Sequence, residues 1–106
     1  MHIAERDHVA TRFWLDGSSH TVSIAHRVVR LTELEFELLR VLVEHAPRVV
    51  TYDDLLTAVW GAHASEKRNY LKLYVFYLRS KLEDDPSRPA LILNERSQGY
   101  RLALAS

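Results

Sequence analysis

The 106-residue chain contains no cysteine, and its acidic and basic side chains cancel to a formal net charge of zero. The lack of cysteine excludes disulfides and thiolate zinc sites and is compatible with a reducing cytoplasmic compartment. No apolar run approaches the roughly 20 residues of a membrane-spanning helix, so we expect no membrane partner. The three glycines stand apart, which excludes a glycine-rich phosphate loop, and the six histidines lack metal-ligand spacing. We therefore expect no catalytic residues, no metal and no cofactor.

The charge is distributed unevenly along the chain, which matters for a nucleic-acid partner. Residues 1–65 carry six Lys/Arg against nine Asp/Glu, whereas residues 66–106 carry eight against five. Residues 67–81 contain five cations and no acid. Because the field at a surface depends on local charge, a neutral chain can still present a basic stripe. Charge alone does not distinguish such a stripe from an ordinary solvated helix face.

The first third of the chain is typical of short strands. Residues 12–15, 21–24 and 27–31 are rich in β-branched or aromatic side chains, and Asp16-Gly17 is a turn signal between the first two segments. We predict a small antiparallel sheet here. Residues 1–11 are predicted to be a linker remnant or an additional edge strand.

Two helices with clear start signals follow. Thr32 and Glu35 have the spacing of a capping box, which predicts that the first helix begins there. Thr51 is the predicted cap of a second, short helix over residues 51–60, and Gly61 is expected to stop it.

A third helix is predicted from a cap at Ser65 to about Glu83. Its leucines and valine recur at the spacing of a single buried stripe, namely Leu71, Val75, Leu78 and Leu82. Residues 91–94 and 100–104 then form a predicted β-hairpin around residues 96–99.

An N-terminal antiparallel sheet, three helices and a closing hairpin, with the third helix the most basic, indicate an α+β winged helix-turn-helix over residues 12–106. In that fold the third helix lies in the major groove of DNA, where base edges present a distinguishable donor and acceptor pattern. The hairpin, or wing, reaches the adjoining minor groove, where narrow A·T-rich stretches attract arginine. We thus predict sequence-specific binding of double-stranded DNA.

Five motifs, over roughly residues 12–104, resemble the DNA-binding domain of OmpR/PhoB-type response regulators. They are Leu31-Thr32-x-x-Glu35-Phe36-x-Leu38-Leu39, Val50-Thr51-x-x-x-Leu55-Leu56, Val59-Trp60-Gly61, Tyr77-Leu78-Arg79-x-Lys81-Leu82-Glu83 and Gly99-Tyr100-Arg101-Leu102. Residues 70–74 and 83–89 are most similar to the KdpE-type subgroup. The resemblance implies the effector half of a two-component transcription regulator, with its receiver domain absent from this sequence. It also implies a homodimer on DNA and contact with RNA polymerase.

Three groups of candidate DNA contacts follow from the helix geometry and this resemblance. Four side chains lie off the buried stripe and are expected to point outward and read bases: Lys72, Phe76, Tyr77 and Arg79. Contacts to the DNA backbone are expected from Trp60, Lys67, Arg68, Asn69, Tyr74 and Lys81. Contacts from the wing, including one in the minor groove, are expected from Asn94 and Arg96.

Several of these residues also suit a purely structural role. Phe76 and Tyr77 would fit a dimer contact or a cover for the hairpin, and many relatives carry arginine at both positions. Trp60 would equally suit the core. Arg96 would suit a solvated turn, because Ser97-Gln98 replaces the glycine that usually follows this arginine in the family. The competing function is a winged-helix protein-interaction module that does not read DNA, with Phe76 and Tyr77 as its anchors.

Overall fold

The computed structural model describes residues 13–25 and 27–103. Residues 1–11, predicted to be a linker remnant or edge strand, lie outside this part of the chain. Within the described residues, six strands form two three-stranded antiparallel sheets, in the orders β1-β2-β3 and β4-β6-β5. The strands are β1 (Phe13–Asp16), β2 (Thr21–Ile24), β3 (Arg27–Arg30), β4 (Val50–Thr51), β5 (Ile92–Glu95) and β6 (Gly99–Leu102).

Three α-helices of the described ranges separate β3 from β5 in sequence, with β4 between the first and the second. They are α1 (Glu33–His45), α2 (Tyr52–Trp60) and α3 (Arg68–Leu82), and a 3₁₀ helix over Gly61–Lys67 joins α2 to α3. This order confirms the predicted winged helix-turn-helix, with β5 and β6 as the wing. Within the described ranges, no helix combines the length and hydropathy that crossing a bilayer requires.

The starts of the first two helices follow the capping signals in the sequence. The Thr32 hydroxyl accepts from the Glu35 backbone N–H at 3.3 Å, and the Glu35 carboxylate accepts from the Thr32 N–H at 2.9 Å. The hydroxyl of Thr51 accepts from the Asp54 N–H at 3.1 Å in the same way at α2. These bonds satisfy amides that have no partner inside the helix. Both predicted helix starts are confirmed.

The predicted start of the third helix at Ser65 is wrong. α3 begins at Arg68, because the connector from Gly61 onward winds as a 3₁₀ helix that leads directly into it. The residue preceding α3, Lys67, makes no side-chain capping bond. The first amides of α3 are therefore not capped by the side chain that precedes the helix.

The stripe predicted on the third helix forms part of the core. Its four members are 3% exposed or less, namely Leu71, Val75, Leu78 and Leu82. They join buried residues of α1 and α2 and the apolar sides of both sheets. Since an α-helix repeats every 3.6 residues, burial of this one stripe leaves the opposite side of α3 facing solvent.

β4 was not predicted, and it explains why position 99 is glycine. Val50 pairs with Tyr100 and Thr51 with Gly99, so this two-residue strand attaches the start of α2 to the wing. A Cβ atom on Gly99 would lie 1.9 Å from the carbonyl oxygen of Val50. No side chain fits there, because the two backbones pass too close together.

Contacts with other elements hold the C-terminal end of α3. Arg27 on β3 donates from Nη1 to the carbonyl of Lys81 and from Nη2 to that of Leu82, both at 2.9 Å. These carbonyls lie in the last turn, where they lack helical partners and favour a cation. The Lys81 ammonium lies 2.6 Å from the carboxylate of Glu35, which is 3% exposed. The last turn of α3 is thus tied to both β3 and α1.

Glu83, directly after α3, fixes the start of the wing. Its buried carboxylate accepts from the backbone N–H groups of residues 90, 91 and 92 at 2.8 to 3.1 Å. Ile92 is the first residue of β5. The end of α3 and the base of the wing therefore form one hydrogen-bonded unit.

Candidate nucleic-acid interface

The side of α3 that faces away from the core is exposed. We call five of its exposed residues the reading face, namely Asn69, Lys72, Leu73, Phe76 and Tyr77; Tyr70 and Ser80 are exposed beside them. The exposed fractions are 39% for Leu73, 60% for Phe76 and 37% for Tyr77. The outward orientation predicted for Lys72, Phe76 and Tyr77 agrees with the structure, whereas contact of these residues with DNA stays a prediction.

The cations on the N-terminal half of α3 and just before it are largely free. Lys72 has no hydrogen bond or ion pair with any described residue. The Lys67 ammonium lies 4.9 Å from the centre of the Tyr70 ring. Arg68 lies 3.9 Å from a carboxylate oxygen of Asp53, and the two side chains are 60% and 87% exposed. An ion pair so open to water is weak, so all three cations are available to a polyanion.

Arg79 does not join them, and the predicted outward orientation of its side chain is wrong. Its Nε and Nη2 atoms donate to the carbonyl of Ile92 at 3.1 and 2.9 Å. Its guanidinium carbon lies 5.8 Å from the centre of the Tyr100 ring. Position 79 lies at the edge of the buried stripe that faces the wing, so the side chain binds β5 and covers β6.

Lys81 is also engaged within the protein. Its ammonium pairs with the buried Glu35 carboxylate, and the side chain is 36% exposed. This ion pair ties the ammonium to the protein, because its loss would strip a buried carboxylate of its cation. Contact of Lys81 with the DNA backbone stays a prediction.

A series of aromatic rings leads from the core to the reading face. The ring centres of Trp60 and Tyr74 are 5.9 Å apart, those of Tyr74 and Tyr77 are 5.4 Å apart, and those of Tyr77 and Phe76 are 6.1 Å apart. Trp60 and Tyr74 are half-buried and pack against the core. Trp60 therefore has the packing role that was one of its two alternatives. The edge-on contact of Tyr77 with Tyr74 holds the phenol in place beside Phe76.

The wing tip is the turn over residues 96–98. Arg96 is exposed and makes no hydrogen bond or ion pair within residues 13–25 and 27–103. Ser97 has a φ of 66°, in the left-handed region that glycine adopts without strain. A serine at this position therefore keeps the backbone conformation for which glycine is suited, and it leaves Arg96 at the tip.

Asn94 connects the wing to α2. Its side-chain nitrogen donates to the hydroxyl of Tyr52 at 2.8 Å and to the carbonyl of Gly99 at 2.9 Å. The Tyr52 backbone N–H also donates to the carbonyl of Gln98 at 3.2 Å. The amide of Asn94 is thus bonded within the protein, although the residue is exposed. The start of α2, the wing and α3 consequently keep fixed positions relative to one another.

These three elements enclose a surface notch of about 380 Å³. It is lined by Tyr52, Arg68, Asn69, Leu71, Lys72, Asn94 and Tyr100. Burial raises the pKa of the Tyr100 phenol above its ordinary value of 10.0, while the nearby Arg79 lowers it. The phenol is therefore neutral at physiological pH, and the notch presents two cations and several neutral hydrogen-bonding groups.

Tyr52 and Leu73 also lie at this candidate interface, and neither was predicted from the sequence as a site residue. Tyr52 follows the cap of α2 and carries no charge, and its position against the wing depends on the unpredicted strand β4. The exposure of Leu73 was not predicted, because leucines on a helix are usually assigned to the core. Its spacing of two residues from Leu71 was the available signal, since positions i and i+2 do not share a helix face.

Within the described ranges no group of His, Asp or Glu side chains could hold a metal ion.

Comparison with known proteins identifies the family. The family described as "Transcriptional regulatory protein, C terminal" matches residues 26–102. The KDP operon transcriptional regulatory protein KdpE of Escherichia coli (strain K12) is 41% identical over 114 aligned positions, which cover 98% of this chain and 51% of that protein. KdpE of Mycobacterium tuberculosis (strain ATCC 25618 / H37Rv) is 36% identical over 94 positions, which cover 82% and 42%. The chain thus spans about half the length of these relatives, or less, and both are transcriptional regulators.

Solved structures with the same fold include domains bound to DNA. The RstA DNA-binding domain of Klebsiella pneumoniae, in complex with the RstA box, has a TM-score of 0.77 at 26% identity and covers 89% of this chain and 93% of that chain. The Thermotoga maritima response regulator DrrB, an OmpR/PhoB homolog, has a TM-score of 0.75 at 30% identity and covers 87% and 42%. The helices, the wing and these matches lead to one conclusion. The chain belongs to the transcriptional regulatory protein C-terminal family and is a winged-helix DNA-binding effector domain of the OmpR/PhoB type.

Proposed function

We propose that the reading face of α3 enters the major groove of a specific DNA site and that Arg96 on the wing reaches the adjoining minor groove. The observation that carries this proposal is the exposed side of α3, where Lys72 has no partner among the described residues and borders the notch beside the wing. A helix with one buried stripe and one exposed side suits the width of the major groove. Arginine at an exposed hairpin tip suits a narrow minor groove.

In this proposal the notch is the binding site for a phosphate group of the DNA backbone. Arg68 and Lys72 supply positive charge, and the hydroxyl of Tyr52 and the amide of Asn69 supply neutral hydrogen bonds to phosphate oxygens. Contacts of this kind fix the register of a protein on the duplex, while contacts to base edges determine the sequence. Phosphate binding in the notch would therefore place the reading face against a fixed set of base pairs.

We also propose a wider setting on the basis of similarity to KdpE. The domain acts in the cytoplasm as the effector part of a two-component regulator, joined to a receiver domain that corresponds to the uncovered half of its relatives. It binds as a homodimer to two half-sites and contacts RNA polymerase. Half-sites about one helical turn of DNA apart would place both protomers on one face of the duplex.

The test of DNA binding is its salt dependence. Neutralising Z phosphates gives a slope of about −0.9Z for log K against log[salt]. The available cations are Lys67, Arg68, Lys72 and Arg96, so we expect Z of about four per protomer and a slope of about −3.6. The affinity should then fall about 150-fold between about 50 and about 200 mM salt. The measurement is fluorescence anisotropy with a duplex selected by this domain from a random pool. Failure to bind at low salt, or a flat response, would instead support the protein-interaction module.

A further inference from the structure

The reading face is unusually apolar for a surface that meets DNA. Leu73 and Phe76 are 39% and 60% exposed, and the phenol of Tyr77 adds a third ring surface. Lys72 is the only charged member of the reading face as defined above. Of the two arginines of α3, Arg79 is bonded to the carbonyl of Ile92, and Arg68 lies at the first residue of the helix, where it lines the notch. The face therefore lacks the bidentate arginine that commonly recognises guanine.

Exposed apolar side chains gain free energy only when they meet apolar surface. In the major groove the base edges offer one such group, the C5 methyl of thymine. Leu73 and Phe76 are three residues apart, which corresponds to about 4.5 Å along the helix axis. Successive bases on one strand are about 3.4 Å apart. The two side chains are thus spaced to meet the methyl groups of neighbouring thymines.

We propose that Leu73 and Phe76, supported by Tyr77, recognise consecutive thymine methyl groups, so that the half-site of this domain contains adjacent A·T pairs. This inference rests on the proposed function and specifies the DNA that the reading face prefers. The surroundings of this apolar patch of Leu73, Phe76 and Tyr77 favour DNA over a protein partner, since Lys72 is adjacent to it in sequence and two further cations, Lys67 and Arg68, lie at the N-terminal end of the same helix. Three apolar side chains are also few for a stable protein interface, which buries about 800 Å² on each partner.

Removal of single methyl groups from DNA tests this proposal directly. A duplex is first selected from a random pool, and each thymine is then replaced in turn by deoxyuridine, which lacks the methyl but keeps every hydrogen-bonding group. We expect two adjacent replacements each to weaken binding about fourfold, the factor for one buried methylene-sized group. An A·T-rich selection alone does not count as support, because Arg96 in a narrow minor groove would also favour A·T pairs.

Two variants complete the experiment. Phe76→Ala should abolish the effect of deoxyuridine at one of the two positions, and its thermal unfolding should stay near that of the parent because Phe76 is mostly exposed. Val28→Ala is the matched control, since Val28 is 68% exposed on β3, outside the reading face. It should keep the full deoxyuridine effect.

The possible failures are distinguishable. Tight, salt-dependent binding with no deoxyuridine effect, or with the same effect in Phe76→Ala, would overturn methyl recognition and leave DNA binding intact. If no duplex is selected at all, both proposals fail. Self-association that Phe76→Ala abolishes, combined with indifference to deoxyuridine, would assign the patch to a second copy of the chain and overturn the proposal.

Discussion

Replacement of Arg79 by alanine tests whether this arginine serves the fold or the DNA. The change removes two hydrogen bonds from a charged guanidinium to the carbonyl of Ile92 and its contact with the Tyr100 ring. Hydrogen bonds that involve a charged group contribute about 1.5–3 kcal/mol, and a cation–π contact near the surface about 0.5–1 kcal/mol. Because Arg79 is only half-buried, we expect a loss of about 2 kcal/mol in the free energy of unfolding.

For a domain of about this size, such a loss lowers the melting temperature by about 8–16 °C. Thermal unfolding followed by circular dichroism measures this shift, and the salt slope of DNA binding is measured on the same protein. The slope should not change, since the guanidinium is committed to the wing. Arg79→Lys should also be destabilised, because an ammonium cannot reproduce the planar two-point contact.

Lys72→Ala is the opposite case and serves as the comparison. Lys72 is exposed and has no partner among the described residues, so the melting temperature should stay close to that of the parent. Its salt slope should become shallower by about one, and its base preference should also relax, by about 1–3 kcal/mol, because Lys72 belongs to the reading face. The reasoning would be refuted if Arg79→Ala melted like the parent and lost about one unit of slope, since the guanidinium would then be bound to phosphate or base.

Two further predictions concern the packing around α3 and the wing. Gly99→Ala should lower the free energy of unfolding by more than about 3 kcal/mol, or prevent folding, because its Cβ would lie 1.9 Å from the Val50 carbonyl oxygen. A urea titration measures this loss, and Gly17→Ala is the control because a Cβ there would have nothing within 4 Å. Arg27→Ala should cost about 1–2 kcal/mol through loss of its two bonds to the last turn of α3, whereas Arg30→Ala, at an exposed position without a partner in the described ranges, should lie within about 0.5 kcal/mol of the parent. Equal effects of the two arginine variants would contradict the capping role of Arg27.

The sequence predicted those parts of the fold that depend on local signals. The capping box of Thr32 and Glu35 and the stripe that includes Leu71 each involve residues a few positions apart, and both were correct. β4 was missed because a strand of two residues has no periodicity to detect. The start of α3 was placed too early because capping signals do not distinguish an α-helix from the 3₁₀ turns that precede it.

The candidate site was predicted where exposure follows from helix geometry alone. Phe76 lies far from the buried stripe, and its exposure could be expected. Arg79 lies at the edge of the stripe, where the neighbouring element decides whether a long side chain meets solvent or protein. Lys81 pairs with Glu35, which is 46 residues away in the sequence. Partners at such a distance depend on tertiary packing, which a single sequence does not reveal.

The bonds from Arg27 to the end of α3 determine whether the protein or the DNA changes shape when the two bind. α3 cannot tilt without breaking these bonds and disturbing the buried Glu35 carboxylate. Because a helix held in this way keeps its orientation, the duplex must change its groove width or curvature wherever the two do not match. Flexible pyrimidine–purine steps beside the half-site would then raise affinity without touching the protein.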